Sequence, residues 1–223
     1  MFFVIPDLVT AEEVKHVRKL LESANFVHGA DSANNAASQV KNNLQISYRD
    51  KSQDAARRII ETAFARSPMF QFLALPKNVA PPTFNKYETG MYYRDHIDHA
   101  FIGGAEKVRG DMSSTVFLSN PDEYTGGELI LHSNGQEIPV KLDAGQAMVY
   151  SATLLHRVNT VSQGVRLAAV TSIQSTIKSD EQRDVLGDLT RVMRWVQDNA
   201  PNAAENQLLV RAYNNLLRMW AEL

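Results

Sequence analysis

The spacing of apolar residues divides the chain into three parts. Near the N-terminus, apolar positions recur at helical spacing after a capping-box pattern at Thr10–Glu13. From about Phe70 the pattern changes to short apolar runs separated by Pro, Gly, Asn and Asp, which is typical of strands. These runs are PTFNKYE, STVFLS, GELILH, IPVKL, QAMVYS, HRVNTV and RLAAVTSIQS. After Ile177 helical spacing returns in two segments that NAPN separates.

The N-terminal part should contain a short strand and two helices. FFVI predicts the strand, and DAARRIIETAFA predicts the second amphipathic helix. Between them, GADSANNAASQVKNN (residues 29–43) is polar and predicts a surface loop. The segment VKNNLQIS (residues 40–47) can either line a substrate entrance or simply lead from that loop into a strand.

Many short strands in one region are typical of a sandwich, a barrel or a jelly roll. We therefore expect a mainly β core in residues 78–177, supported by helices and a strand in residues 1–77. A helical extension should occupy residues 178–223. Two amphipathic helices after a complete β core can also form a homodimer interface.

Composition narrows the classes of function. The chain has 223 residues, a net charge of −2 and no cysteine. This charge gives no basic field for nucleic acid, and no apolar stretch approaches the roughly 20 residues of a membrane span, so we expect neither partner. The lack of cysteine excludes thiolate metal sites and is typical of a cytoplasmic protein. Any metal site must therefore use histidine and carboxylate ligands.

YYRDHIDHA crowds four potential metal ligands into one segment: Asp95, His96, Asp98 and His99. On a helix, Asp95 and His99 would pair at positions i and i+4. The neighbouring glycines and aromatic residues instead favour a strand that ends in a loop. Alternation then places His96 and Asp98 on one face and the other two on the opposite face. His-x-Asp is therefore the candidate ligand pair.

A third ligand can come from His156, which opens the HRVNTV strand 60 residues after His96. Two histidines and one carboxylate on one face of a metal are the ligands of non-haem Fe(II) oxygenases, and they leave positions open for a 2-oxoacid and O2. The far carboxylate of the 2-oxoacid requires a fixed cation. Arg166, 10 residues after His156, offers a planar bidentate donor that stays charged.

Each residue has a simpler explanation when it is taken alone. A His-x-Asp pair occurs often by chance, His156 can be a core histidine, and Arg166 can be a surface cation. The ordered set within one β-rich region favours the iron site. A non-catalytic jelly-roll protein that binds a metal or another ligand is the alternative, because a fold does not fix function.

The polar residues next to the His-x-Asp pair each allow two interpretations. Asp95 and His99 can orient the ligands or lie at the mouth of the site. Arg94 and Arg109 can contact an acidic substrate, but we favour surface cations. Tyr92 and Tyr93, at the start of the same segment, are expected to be packing residues.

Three segments of the chain resemble the prolyl-4-hydroxylase-like branch of the Fe(II)/2-oxoglutarate-dependent dioxygenases. YETGMYYRDHID resembles the pattern Tyr-x-x-Gly-x-x-Tyr-x-x-His-x-Asp of that branch. STVFLSNPDEYTGGELIL and AGQAMVYSATLLHRVNTVSQGVRLAAVTSIQS resemble its later strands, and together the match covers about residues 78–177. The flanks, including VKNNLQIS and NNLLRMWAEL, resemble the bacterial PKHD-type hydroxylases, which are often associated with iron uptake.

The resemblance implies a double-stranded β-helix, or jelly roll, with flanking helices. It implies Fe(II) held by His96, Asp98 and His156, with 2-oxoglutarate bound by Arg166 and Tyr87. It also implies O2 as cosubstrate and L-ascorbate as a helper that keeps iron reduced. The expected reaction hydroxylates a small molecule or a peptide while 2-oxoglutarate is decarboxylated to succinate and CO2. Many prolyl hydroxylases carry Lys at the position of Arg166, and this departure weakens the expectation of a prolyl substrate.

Overall fold

The computed structural model of the chain describes residues 2–29, 40–46, 50–103 and 107–222. The helices within these residues are α1 (Ala11–Glu22), α2 (Asp54–Arg66), α3 (Pro68–Ala74), α4 (Asp180–Asn199) and α5 (Glu205–Trp220). The strands of the same residues are β1 (Phe2–Ile5), β2 (Val27–His28), β3 (Lys41–Asn42), β4 (Leu44–Ile46), β5 (Pro76–Val79), β6 (Thr83–Tyr87), β7 (Tyr92–His96), β8 (Phe101–Ile102), β9 (Val108–Arg109), β10 (Met112–Phe117), β11 (Tyr124–Gly126), β12 (Leu129–Ser133), β13 (Gln136–Val140), β14 (Ala147–Ser151), β15 (His156–Val158), β16 (Val161–Gly164) and β17 (Arg166–Ser175).

Two antiparallel sheets form the core. The larger sheet has the strand order β1-β14-β10-β17-β6-β4-β2, with β5 paired to the end of β17, and the smaller sheet has the order β13-β12-β15-β7-β3. Apolar side chains of both sheets pack against one another between them, namely Phe117, Met148 and Tyr150 from the larger sheet and Leu129, Leu131 and Val140 from the smaller. Two facing sheets of this kind form the predicted jelly roll.

The period-two alternation of β17 separates the two faces of the larger sheet. Leu167, Ala169 and Ile173 pack in an apolar cluster with α1, α2 and α3. Arg166 and Ala168 point to the opposite face, toward the smaller sheet. Burial of apolar surface stabilises a fold by roughly 25 cal/mol per Å². Packing against the helices therefore stabilises the larger sheet, whose other face lines the space between the two sheets.

Local sequence signals account for the N-terminal elements. β1 forms where FFVI predicts it, and the N-terminal helix starts with the expected capping box. The Thr10 backbone N–H donates to Glu13 Oε2 at 2.9 Å, and the Glu13 N–H donates to Thr10 Oγ1 at 3.3 Å. Among the described residues, no helix combines the length and the apolar character that a bilayer span requires.

The predicted loop at residues 29–43 is wrong at its C-terminal end. Lys41–Asn42 forms β3 and pairs with Tyr92 and Tyr93 of β7. This pairing is a tertiary contact, so the polar local sequence gives no sign of it. Residues 30–39 of the same prediction lie outside the described residues.

The C-terminal helices pack as a pair on the end of the β core. Ile177, Leu186 and Tyr213 form the buried centre of their contact. The chain then returns to the core, where the Glu222 backbone N–H donates to the Thr176 carbonyl at 2.8 Å and Arg109 Nη1 donates to Glu222 Oε2 at 2.8 Å. The helical extension is thereby attached to the end of β17.

Candidate metal centre

A β-bulge sets the geometry of the candidate ligands. His156 on β15 lies directly opposite His96 on β7, whereas Val158 lies opposite Tyr93. Two steps along β15 therefore correspond to three steps along β7, which contains one extra residue. The bulge places Tyr93 and His96 on the same face, and their rings stack with centroids 3.5 Å apart.

The three predicted metal ligands lie together in the space between the sheets. One ligand atom from each of His96, Asp98 and His156 lies within 4.8 Å of the others. The rings of the two histidines have centroids 4.1 Å apart, and His156 Nε2 is 3.8 Å from Asp98 Oδ2. His156 is only 3 % exposed, whereas His96 is half-buried and the Asp98 side chain is 24 % exposed.

Hydrogen bonds orient all three side chains. His96 Nδ1 lies 2.7 Å from the Arg94 carbonyl, and His156 Nδ1 lies 2.9 Å from the Leu154 carbonyl. A carbonyl oxygen only accepts, so each Nδ1 carries the hydrogen and each Nε2 keeps a free lone pair. Ser113 Oγ donates to Asp98 Oδ2. Two imidazoles oriented through Nδ1 and an oriented carboxylate are a donor set that fits Fe(II).

Electrostatics keep His96 neutral at physiological pH. Burial, followed by the charge of His156, lowers the pKa of His96 to about 4. Neutral imidazole is the form that binds a metal, so protons do not compete for His96 near pH 7. Burial also raises the pKa of the Tyr93 phenol that stacks on this ring, and the negative charge of Asp98 acts in the same direction.

Arg166 is a buried cation on the opposite wall of the same space. It is 1 % exposed, and its Cζ lies 5.2 Å from the ring centroid of Tyr87 and 5.3 Å from that of Phe117. Within the described part of the chain, no carboxylate forms an ion pair with Arg166, and its Nε has no hydrogen-bond partner. A buried guanidinium without a counter-ion fits an anionic ligand.

Three tyrosines, at positions 87, 124 and 150, lie near the Arg166 guanidinium. Tyr87 lies opposite Arg166 in the pairing of β6 with β17. Burial raises the pKa of the Tyr124 phenol, and the charge of Arg166 opposes this rise. Burial raises the pKa of Tyr150 well above its usual value, and the charge of Asp98 adds to this effect whereas that of Arg166 opposes it. Tyr150 therefore lies within the electrostatic reach of both the candidate metal ligands and the candidate 2-oxoglutarate clamp.

The described residues of the VKNNLQIS segment (40–46) cross from the edge of the smaller sheet to the larger one. Lys41 Nζ donates to Gln45 Oε1 at 2.6 Å and lies 5.2 Å from the centroid of the Tyr93 ring. Asn43 is fully buried, and its Nδ2 donates to Asn85 Oδ1 at 2.9 Å. This arrangement favours the interpretation that the segment lines the site. The sequence does not single out Lys41, because its contact with Tyr93 arises only from the pairing of β3 with β7.

The remaining candidates of YYRDHIDHA point away from the metal ligands. Asp95 Oδ1 lies 2.9 Å from His132 Nε2 and 3.5 Å from Arg157 Nη1, and His99 is exposed. Asp95 and His96 thus point to opposite faces of β7, whereas Asp98 and His99 lie beyond the end of this strand. Arg157 also holds Glu137 through two hydrogen bonds of 2.8 and 2.7 Å, which links neighbouring strands on the outer face of the smaller sheet.

The side chains of the two flanking arginines have partners other than the candidate metal ligands. Arg94 stacks on Tyr92 with its Cζ 5.3 Å from the ring centroid. Arg109 forms ion pairs with Asp111 at 2.7 Å and with Glu222 at 2.8 Å. Both contacts agree with the surface and structural interpretation rather than with an acidic substrate.

Comparison with known proteins places the fold and the family. The 2OG-Fe(II) oxygenase superfamily matches residues 82–174, and the PKHD-type hydroxylase C-terminal domain matches residues 180–222. PKHD-type hydroxylases of Gluconacetobacter diazotrophicus and Delftia acidovorans are 40 % and 41 % identical over 227 and 225 residues, and each alignment covers 100 % of both chains. The crystal structure of a Pseudomonas putida prolyl-4-hydroxylase has the same fold, with a TM-score of 0.54 and 18 % identity over 78 % of this chain and 92 % of that one.

These matches support an enzyme rather than the binding-module alternative. The two relatives are hydroxylases that align with this chain over their whole length, and the superfamily uses Fe(II) and 2-oxoglutarate. The residues that the superfamily match covers include the three candidate metal ligands and Arg166. The chain therefore belongs to the PKHD-type hydroxylases of the 2OG-Fe(II) oxygenase superfamily, and it is an oxidoreductase of the dioxygenase class.

Proposed function

We propose that His96, Asp98 and His156 hold Fe(II) and that Arg166 binds the far carboxylate of 2-oxoglutarate, with Tyr87 beside it. One observation carries this assignment. Two oriented imidazoles and a carboxylate converge within 4.8 Å, and the guanidinium without a counter-ion lies on the facing sheet. A dicarboxylate that reaches from the metal to Arg166 satisfies both.

Iron and 2-oxoglutarate held by these residues would supply the oxidising power: one oxygen atom of O2 would enter succinate with release of CO2, and the other would replace a C–H bond of the substrate by C–OH. The protein residues orient the groups that would hold the metal. The carbonyls of Arg94 and Leu154 hold the two imidazoles, and Ser113 holds the Asp98 carboxylate.

The assignment is tested without knowledge of the substrate. Anaerobic addition of Fe(II) and 2-oxoglutarate should give the weak visible charge-transfer band of an iron–2-oxoacid chelate in the wild type. A panel of small molecules and peptides should then identify compounds that stimulate succinate formation in air. A wild-type protein that gives no band and makes no succinate with any iron concentration would contradict the proposal.

Several finer expectations rest on the sequence and on exposed residues. L-Ascorbate should extend the number of turnovers, and fractionation should find the protein in the cytoplasm.

Val185, Val192 and Trp195 form an exposed stripe on α4, with Trp195 63 % exposed, which supports a homodimer through the C-terminal helices. Light scattering of wild type and Trp195→Glu tests that dimer. A role in iron uptake predicts that iron limitation raises the amount of the protein.

A further inference from the structure

A short turn between β14 and β15 contacts two of the three candidate metal ligands. The Ala152 carbonyl accepts from the Asp98 backbone N–H at 3.3 Å, and the Leu154 carbonyl accepts from His156 Nδ1 at 2.9 Å. Residues 151–154, which we call the ligand turn, thus determine where one ligand backbone lies and how one imidazole is rotated. A shift of this turn would move both ligand atoms together.

The ligand turn is held from outside the β core by Asp180, the first residue of α4. Asp180 Oδ2 accepts from Ser151 Oγ at 2.6 Å and from Thr153 Oγ1 at 3.1 Å. Ser151 is 1 % exposed, and its Oγ also accepts from the Thr153 backbone N–H at 3.3 Å. The carboxylate therefore joins Ser151 and Thr153 of the turn through charge-assisted hydrogen bonds, which are stronger than those between neutral groups.

Asp180 is itself fixed by a buried arginine. Arg183 is 1 % exposed and pairs with Asp180 Oδ1. Its Nη1 donates to the carbonyls of Ile177 at 2.6 Å and Lys178 at 2.9 Å, where the chain leaves the β core. The N-terminal position of Asp180 on its helix stabilises its negative charge as well. Asp180 thus has a fixed position, as a group that orients another group must have.

We propose that Asp180 is a positioning residue of the metal centre, through which the C-terminal helical region sets the placement of Asp98 and His156. The inference rests on the proposed function, because it assumes that these two residues hold the metal. The match to the oxygenase superfamily ends at residue 174, and the match to the C-terminal domain begins at residue 180. The helical region would therefore supply part of the support for the metal site rather than only a packing surface.

Co(II) alone is a suitable probe, because its d–d absorption spectrum reports ligand geometry and its titration gives an affinity. Outer partners that orient metal ligands typically contribute about 10–100-fold to metal affinity. We expect Asp180→Asn to weaken Co(II) binding within this range and to change the d–d spectrum. The matched control is Asp188→Asn on the same helix, whose side chain is 76 % exposed and which should retain wild-type affinity and spectrum.

Two variants on the turn keep the test valid if Asp180→Asn fails to fold. Ser151→Ala and Thr153→Val remove the donors and leave Asp180 with its Arg183 partner. Each should weaken Co(II) binding, and Asp180→Asn with Ser151→Ala should weaken it by less than the product of the single effects, because both remove the same contact. Wild-type affinity and spectrum in the folded variants would overturn the proposal.

The metal assignment is checked in the same titration. Wild-type protein should bind Co(II), and His156→Ala should lose that binding. If His156→Ala binds Co(II) as the wild type does, the proposed metal centre fails, and the positioning role fails with it. If His156→Ala loses the metal but the Asp180 and turn variants keep it unchanged, only the positioning role is wrong.

Discussion

His96 on β7 and His156 on β15 lie directly opposite each other in the smaller sheet, with ring centroids 4.1 Å apart. Residues that face each other across two strands keep their separation, since the backbone hydrogen bonds of the pair fix it. The proposed metal site thus lies on paired strands of the fold, and Asp98 follows the end of one of them.

The first prediction concerns the ligand that is most distant in sequence. His156→Ala should reduce iron-dependent and O2-dependent turnover of 2-oxoglutarate by at least about 100-fold, because even outer partners of metal ligands contribute about 10–100-fold. Succinate formation and the anaerobic charge-transfer band should both be lost. His16→Ala, at an exposed position of α1, is the control and should retain both. Full turnover in His156→Ala would contradict the ligand assignment.

The sequence predicts the ligand residues better than their surroundings. His-x-Asp and the later histidine are candidates because few residue types bind iron, but strand alternation alone does not place Asp98, which lies beyond the end of β7. The bulge that turns Tyr93 onto His96 is not predictable, since it arises from the register with β15. A local pattern has no information about the partner strand.

Other parts of the site depend on tertiary packing alone. Lys41 lies in a polar run that predicts a loop, yet strand pairing brings it to Tyr93. Asp180 has the appearance of an ordinary acidic residue in the first turn of a helix, and its contact with Ser151 spans 29 residues of chain. The helix and the strand are both predictable, but their relative placement is not.

The second prediction concerns the serine that orients Asp98. Ser113→Ala removes the donor to Asp98 Oδ2 and should weaken Fe(II) or Co(II) binding by about 10–100-fold. Its neighbour Ser114 is a closely matched control, because it is fully buried but its Oγ has no hydrogen-bond partner among the described residues. Ser114→Ala should leave metal affinity unchanged and should not lower stability, because it removes an unsatisfied polar atom. Equal metal affinities in the two variants would contradict this role of Ser113.

The third prediction separates binding from stability at Arg166. Arg166→Met should weaken 2-oxoglutarate binding by about 10–100-fold, which corresponds to the loss of hydrogen bonds to a charged group. The same variant without cosubstrate should be at least as stable as the wild type, because it removes a buried cation that has no carboxylate partner. Arg166→Lys should bind with intermediate affinity, since an ammonium lacks the planar bidentate donor. Titration of the anaerobic charge-transfer band and urea unfolding measure the two effects.

Arg157 provides the contrast for that experiment. Its side chain holds Glu137 on the outer face of the smaller sheet through two hydrogen bonds. Arg157→Met should therefore lower stability slightly and leave 2-oxoglutarate affinity unchanged. Arg166→Met with lower stability and wild-type affinity would show that this guanidinium is structural.

The fourth prediction starts from the position of Lys41 inside the site. Burial lowers the pKa of Lys41 from 10.5 to about 8, and the charge of Asp98 opposes that change. Since the pKa of the folded state is below that of the unfolded state, the unfolded state binds more protons between these two pH values. This residue therefore makes the folded protein more stable as the pH rises from about 8 to about 10.5. Below about pH 8 the buried charge destabilises the fold fully.

Replacing the buried ammonium should remove this pH dependence. Lys41→Met should be more stable than the wild type at pH 7 by about 1–3 kcal/mol, a range that allows for the partial exposure of the side chain. The gain should shrink as the pH rises and should vanish near the ordinary pKa of lysine, because the wild-type amine is then neutral in both states. Urea unfolding of the metal-free protein at several pH values measures the difference. Lys15→Met, at an exposed position of α1, should show no such trend, and a pH-independent difference for Lys41→Met would mean that its ammonium is not buried in solution.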